Sequence, residues 1–234
     1  MTDFGRISHQ EDTAPPNVGA FRGPTFVYWG GPNLYVNLTN RCSAGCSFCL
    51  ADFTSEVYGY DLTLSLSEEP EAEDVIHAFE LAFLDGAPEE AVFAGLGEPT
   101  LRLDVILTVV EWLGTRRVPA RLDTNGHAAL LHPGRDVVGE LASAGLRGVS
   151  VSLNAHDEFT YDLLCRPTFS RAYRAVLRFI RECVDAGLDV TTTVVDVPEV
   201  NTDAAAAVAA DLGAAFRVRR LVTPGASGVR RGPR

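Results

Sequence analysis

The chain has 234 residues, 31 of them acidic and 20 basic, for a formal net charge of −11. That balance argues against a broad nucleic-acid-binding surface, and the length suits a single sizeable core. No apolar run of about 18 residues is present, and the first residues, MTDFGRISHQEDTAPP, lack the basic and apolar regions of a secretory signal, so no membrane partner and a cytoplasmic location are expected.

The first ~24 residues are polar and broken by Pro15, Pro16, Gly19 and Pro24, which predicts a mobile N-terminal arm, bounded at residues 1–32 by the first clear strand. From Asn33 short apolar runs alternate with longer helical stretches. A strand over 34–38 delivers the chain into a cysteine-rich loop. The helical spacing and caps then predict helices over 71–85, 101–113, 134–144, 169–186 and 202–212, the first two closed by Gly86 and Gly114. Between them lie strands over 90–94, 118–123, 148–153, 189–195 and 216–221. The last residues, 223–234, hold Arg230, Arg231 and Arg234 with no acidic residue after Asp211, and are read as a disordered basic tail.

At three joints a helix ends on a glycine, Gly145, Gly187 or Gly213, and a strand follows within a few residues. Glycine there supplies the left-handed cap that turns the chain back towards a sheet. Six strands with helices between them define an α/β fold over residues 33–222: an incomplete (β/α)6 TIM-type barrel with parallel strands. Ligands of such folds gather at the carboxyl ends of the strands.

The first strand end carries Cys42, Cys46 and Cys49, three thiols in eight residues. A zinc site would need a fourth ligand, and neither a nearby His nor a second cysteine pair supplies one. Gaps of three and two residues fit an iron–sulfur site, with reduced structural thiols as the remaining alternative. The second strand runs into Gly95-Leu96-Gly97-Glu98-Pro99, a turn whose backbone allows a ligand close and whose carboxylate accepts from an amino group. The third ends in Asp123-Thr124-Asn125-Gly126-His127, where His127 reads as a hydrogen-bonding surface residue. The fourth alternates so that Ser150, Ser152 and Asn154 share a face. Its continuation, Tyr161 to Pro167, sets Cys165 beside Arg166. Arg171, Arg174, Arg178 and Arg181 recur at helical spacing and read as a solvated face.

Cys42-x3-Cys46-x2-Cys49 with Phe48 before the last cysteine, followed by Gly97-Glu98-Pro99, resembles the radical S-adenosylmethionine (radical SAM) superfamily. More narrowly, the runs NLYVNLTNRCSAGCSFCL, GYDLTL, FAGLGEPTLRLD, LDTNGH, VSVSLNAHD, LLCRP, TVVDVP and FRVRR, in this order, resemble the TatD-associated radical SAM proteins over about residues 33 to 221.

The resemblance implies that Cys42, Cys46 and Cys49 ligate a [4Fe–4S] cluster whose fourth iron is chelated by S-adenosylmethionine. It implies that Phe48 lies near the adenine, that Gly97 and Glu98 hold the methionyl amino group, and that Ser152 and Asn154 contact the ribose. Leu96 replaces the first glycine of the family's Gly-Gly-Glu form. Arg166 is assigned to the methionyl carboxylate and Cys165 to return of a hydrogen atom to a substrate radical. The implied activity is reductive cleavage of S-adenosylmethionine to a 5′-deoxyadenosyl radical that abstracts hydrogen from a small-molecule substrate. Its partners would be that substrate and an electron-donor protein or other reductant. The alternatives are an activase that makes a glycyl radical on a protein partner, and a non-catalytic iron–sulfur or zinc interaction module.

Overall fold

A computed structural model describes residues 24–222. The strands are β1 (Val27–Gly30), β2 (Asn33–Val36), β3 (Glu56–Val57), β4 (Tyr60–Asp61), β5 (Ala91–Phe93), β6 (Ala120–Thr124), β7 (Gly148–Ser152), β8 (Asp189–Val195) and β9 (Ala215–Arg219). The α-helices are α1 (Ala72–Ala82), α2 (Leu103–Thr115), α3 (Ala128–Leu131), α4 (Val137–Ala144), α5 (Glu158–Cys165), α6 (Ala172–Asp185) and α7 (Thr202–Asp211). The main sheet has the order β1-β2-β5-β6-β7-β8-β9, parallel from β2 to β9. Six parallel strands that keep their chain order, with β1 and β9 left as open edges, form the incomplete barrel expected from the helix–strand alternation.

The two faces of the strands differ in chemistry, as their period of two requires. Val149, Val151, Val190 and Val194 are buried under the helices, together with Phe79 of α1, Ile106 and Val109 of α2, and Phe179 and Ile180 of α6. On α6 the apolar side chains recur at helical spacing, whereas Arg174, Arg178 and Arg181 are exposed, a solvated face as the spacing predicts. Arg171 is exposed too but precedes the helix at φ 59.

Gly145, Gly187 and Gly213 all take positive φ behind α4, α6 and α7. Gly114 does not close its helix: α2 runs on to Thr115, and the left-handed position falls to Arg117 at φ 60. Residues 27–32, assigned to the mobile arm, instead form β1 and a two-residue turn with Gly31 at φ 62, pairing Val27 with Val36. The alternation Val27-Tyr28-Trp29 is a strand signal that the preceding prolines obscure. Residues 1–23 of that arm, and the 223–234 tail, lie outside the described residues.

Three further elements are absent from the sequence reading. Tyr58 and Gly59, both at positive φ, turn the β3–β4 hairpin, which sets Tyr58 against Tyr35 and Tyr60 against Tyr28. The short helix α3 follows His127. Tyr161 to Cys165, read as an extension of a strand end, is helical in α5, started by Asp157, whose side chain accepts from Thr160 N.

Candidate active site

The cysteine loop is fastened at both ends before it reaches any ligand. At its stem Glu69 bonds Thr39, accepts from Arg41 Nε at 2.7 Å and pairs with Arg102 at 3.1 Å. These partners, Arg41 first, hold the Glu69 carboxyl down at about 2. At its crown the loop uses the end of α5. Gly45 N donates to Cys165 O at 2.9 Å and Ser47 N to Leu164 O at 2.9 Å. The last carbonyls of a helix have no partner within it, so the loop satisfies them while gaining an anchor. Thr168 N adds a bond to Ser43 O at 3.0 Å.

Gly97 and Glu98 pass directly under the stem. A Cβ on Gly97 would stand 2.4 Å from the carbonyl oxygens of both Arg41 and Thr39, so glycine there answers to close backbone approach. Glu98 N donates to Arg41 O at 2.8 Å. The Glu98 side chain is buried and accepts from Thr100 Oγ1 at 2.7 Å, Thr124 Oγ1 at 2.7 Å and Asn125 N at 2.7 Å. Burial raises its pKa while these donors oppose the rise. The carboxylate therefore ties the β5 turn to the end of β6, and three of its bonds converge on Oε1, leaving Oε2 with the single bond to Asn125 N.

Below the cysteines runs a buried polar chain. Asn125 Nδ2 donates to Ser43 Oγ at 3.0 Å and to Cys42 Sγ at 3.6 Å. Ser43 Oγ meets His127 Nδ1 at 2.9 Å, and His127 Nε2 meets Tyr161 OH at 2.7 Å. His127 is 0% exposed, which corrects its reading as a surface residue, and burial lowers its pKa to about 4. The imidazole is thus neutral near pH 7 and joins three segments that sequence separates. The only signal for this role was the dense polar run at the end of β6; Tyr161 gave none.

The other expected residues divide into two groups. Asn154, at φ 56 beyond β7, is buried and places Nδ2 3.6 Å from Cys165 Sγ. Ser152 is half-buried on the same strand end. Cys165 is 1% exposed and raises the pKa of the neighbouring Cys46 thiol, burial adding to the rise. Phe48 is half-buried against the core. Arg166 caps α5 at φ 44, is exposed, and contributes its carbonyl to Gly45 N at 3.3 Å. The arginine that does reach Ser152 and Asn154 is Arg219, on β9, with Nη2 3.4 Å from Ser152 Oγ and 3.4 Å from Asn154 Oδ1.

Among the described residues no three His, Cys, Asp or Glu side chains already stand at metal-ligating separations. Cys42 and Cys49 each feel Cys46 electrostatically, and Cys46 interacts with Cys165. Burial pushes the Cys42 thiol up to about 11 and raises that of Cys49. Free thiols so placed stay protonated, and a bound metal would be needed to hold them as thiolates. Three sulfur donors on one short loop, with an Asn125 amide aimed at one of them, fit a thiolate-bound cluster. A cleft of ≈ 430 Å³ opens beside Cys42, between Arg41, Leu101, Leu131 and Phe169.

An open parallel α/β barrel with a three-thiol loop over its strand ends defines a cofactor-dependent barrel enzyme. The chain belongs to the radical SAM superfamily, whose family model, described as "Radical SAM superfamily", matches residues 36–212. Members use a [4Fe–4S] cluster and S-adenosylmethionine. A "Probable GTP 3′,8-cyclase" of Halobacterium salinarum is 32% identical over 161 residues, 65% of this chain and 39% of the relative. One of Pyrobaculum aerophilum is 29% identical over 193 residues, 80% of this chain and 57% of the relative. The chain therefore spans well under two thirds of either relative's length. Among solved structures, Streptococcus suis SuiB bound to S-adenosylmethionine matches with a TM-score of 0.62 at 14% identity, over 85% of this chain and 43% of that one. A structure of TYW1 with a lysine-pyruvate adduct bound matches with a TM-score of 0.56 at 12% identity, over 82% of this chain and 65% of that one. Both share the fold.

No helix among the described residues is long and apolar enough to cross a membrane.

Proposed function

We propose that this radical SAM enzyme acts on a small molecule in the cytoplasm, drawing electrons from a donor protein or other reductant, and that it falls in the TatD-associated group. The observation that carries the reading is the fastening of the Cys42–Cys49 loop directly over Gly97, Glu98 and Asn125, at the carboxyl ends of β5 and β6. The resemblance to curated proteins named for a nucleotide cyclisation supports a small-molecule substrate.

Cys42, Cys46 and Cys49 would hold the cluster. When bound, the cluster and S-adenosylmethionine supply one-electron cleavage of a sulfonium and a carbon radical that takes hydrogen from the substrate. The chain's own groups bind and orient. Gly97 and Glu98 would receive the methionyl amino group, Ser152 and Asn154 the ribose hydroxyls, and Phe48 would flank the adenine. Arg166, exposed at the end of α5, would pair the methionyl carboxylate. Cys165, a free thiol beside Cys46 and Asn154, would return a hydrogen atom, its S–H bond breaking as the substrate C–H bond forms, and the thiyl left behind would be restored by an electron from the donor and a proton.

Anaerobic reconstitution with iron and sulfide, reduction and addition of S-adenosylmethionine tests this reading. Formation of 5′-deoxyadenosine is expected, with iron content and turnover both lost when any one of Cys42, Cys46 or Cys49 is replaced by Ala. Absence of 5′-deoxyadenosine from a fully reconstituted wild-type protein leaves only the non-catalytic reading.

A further inference from the structure

The helix-packed valines of β7 and β8 leave Ser150, Ser152, Thr191 and Thr193 on the opposite face, the lumen of the open barrel. Register carries that face outwards in both directions. Asp123 aligns with Ser150, Thr193 with Arg217, and Val195 with Arg219. Arg121, two residues before Asp123, falls on the same face of β6, while Phe216 of β9 packs towards the core. Three arginines thus line the lumen of a chain whose net charge is −11.

Their charges are not equally answered. Arg121 donates from Nε to Glu90 at 2.9 Å and also bonds Asp123. Arg217 and Arg219 pair with no carboxylate among the described residues. Asp123 feels both of them, but its hydrogen bond goes to Arg121. Arg219 rests only on two long contacts to neutral oxygens, Ser152 Oγ and Asn154 Oδ1, both at 3.4 Å. Among the described residues β9 is an edge of the sheet and both arginines are exposed residues, with burial still acting on the Arg219 guanidinium. A guanidinium held at a strand end without a carboxylate in direct contact is short of its strongest partner, and its planar fork matches a carboxylate or phosphate.

We infer that Arg217 and Arg219 form an anion subsite in the lumen, beside Ser152 and Asn154, which receives a carboxylate or phosphate of the substrate. The inference rests on the proposed function for the location of the reacting centre, and it narrows the substrate to an anionic small molecule.

The test uses the full chain, reconstituted with iron and sulfide and titrated calorimetrically with inorganic pyrophosphate, with succinate and with S-adenosylmethionine. At least one of the first two probes is expected to saturate a single site, pyrophosphate indicating a phosphate-bearing substrate and succinate a carboxylate-bearing one. Arg217→Gln and Arg219→Gln are each expected to weaken that binding roughly tenfold or more, the loss of a charge-assisted bond. Arg219→Lys, which keeps the charge, should retain most of it and so separates lost binding from lost folding. Arg181→Gln, on the solvated face of α6, should bind as the wild type does. S-adenosylmethionine binding should be unchanged in Arg217→Gln and Arg181→Gln; in Arg219→Gln, which also releases Ser152 and Asn154, it should weaken far less than probe binding does. The inference is overturned if neither probe saturates the wild-type protein, or if both glutamine variants bind as tightly as the parent. It is also overturned if those variants lose S-adenosylmethionine and keep the probe, which would give the arginines to the methionyl carboxylate. Since the probes are read without turnover, failure to form 5′-deoxyadenosine would remove the proposed function and leave the subsite to its own measurement.

Discussion

Ser43 and His127, 84 residues apart in the chain, meet in the interior with Oγ 2.9 Å from Nδ1. Their hydrogen-bond directions follow from the neighbours. Asn125 Nδ2 can only donate, so Ser43 Oγ accepts from it and keeps its own hydrogen for Nδ1 in the tautomer that carries the ring proton on Nε2. In that tautomer Nε2 donates to Tyr161 OH at 2.7 Å. One neutral imidazole couples the cysteine loop, the end of β6 and α5.

Replacing that imidazole should loosen the loop. His127→Ala removes one of the two partners of Ser43 Oγ and the partner of Tyr161 OH in a buried site and opens a cavity, with an expected loss of about 2–4 kcal/mol in urea unfolding.

The same residue sets a pH dependence. Its folded pKa is about 4 against an ordinary 6.5, so between those values the unfolded chain binds a proton that the folded one refuses. Stability should therefore fall as pH drops from about 6.5 towards 4, by up to about 1.4 kcal/mol per pH unit. His127→Gln should show a shallower decline than the wild type over that window; parallel curves would show that His127 is not held neutral.

Glu69 acts lower on the scale. Its carboxyl, held at about 2 by Arg41, Thr39 and Arg102, gives stability that is present above its ordinary 4.5 and lost as pH falls towards 2. Glu69→Gln is expected to cost about 1–3 kcal/mol at pH 7 and to reduce the acid sensitivity below about pH 4.5. Because the Arg41 side chain is 49% exposed, part of that loss should be screened by added salt.

Two glycines should respond oppositely to alanine. At Gly97 the new Cβ meets backbone oxygens at 2.4 Å, so Gly97→Ala is expected to destabilise by about 1–3 kcal/mol or more and to lower the iron retained on reconstitution. At Gly114, inside α2, nothing lies within 4 Å, and Gly114→Ala should stabilise by about 0.5–1 kcal/mol. Thermal unfolding of the pair makes the comparison internal.

Cys165→Ser keeps the size of a group that accepts from Asn154. Cleavage of S-adenosylmethionine is expected to persist, with an altered product stereochemistry where hydrogen is returned. Unaltered turnover and stereochemistry together would end the hydrogen-donor role.

Much of the architecture was legible because local signals agreed with the fold. The glycines behind α4, α6 and α7 took the left-handed positions their spacing predicts, and the strands that follow them pair in chain order. The misses have local causes. β1 stood behind a proline-rich stretch, α5 was concealed by following a strand end too far, and Gly114 drew the end of α2 inward because a glycine resembles a cap even where the helix continues.

The sequence by itself determined the donor chemistry, since three thiols in one short loop and a Gly-Glu-Pro turn are set by covalent spacing. It determined the alternation of strand and helix, because side-chain period and capping residues act over a few positions. Tertiary structure alone decided which polar residues meet. His127 became the buried link between Ser43 and Tyr161, and Arg219 came to lie beside Ser152 and Asn154. Those contacts depend on the register and order of parallel strands, where residues 67 apart face one another across a sheet and leave no local pattern in the chain.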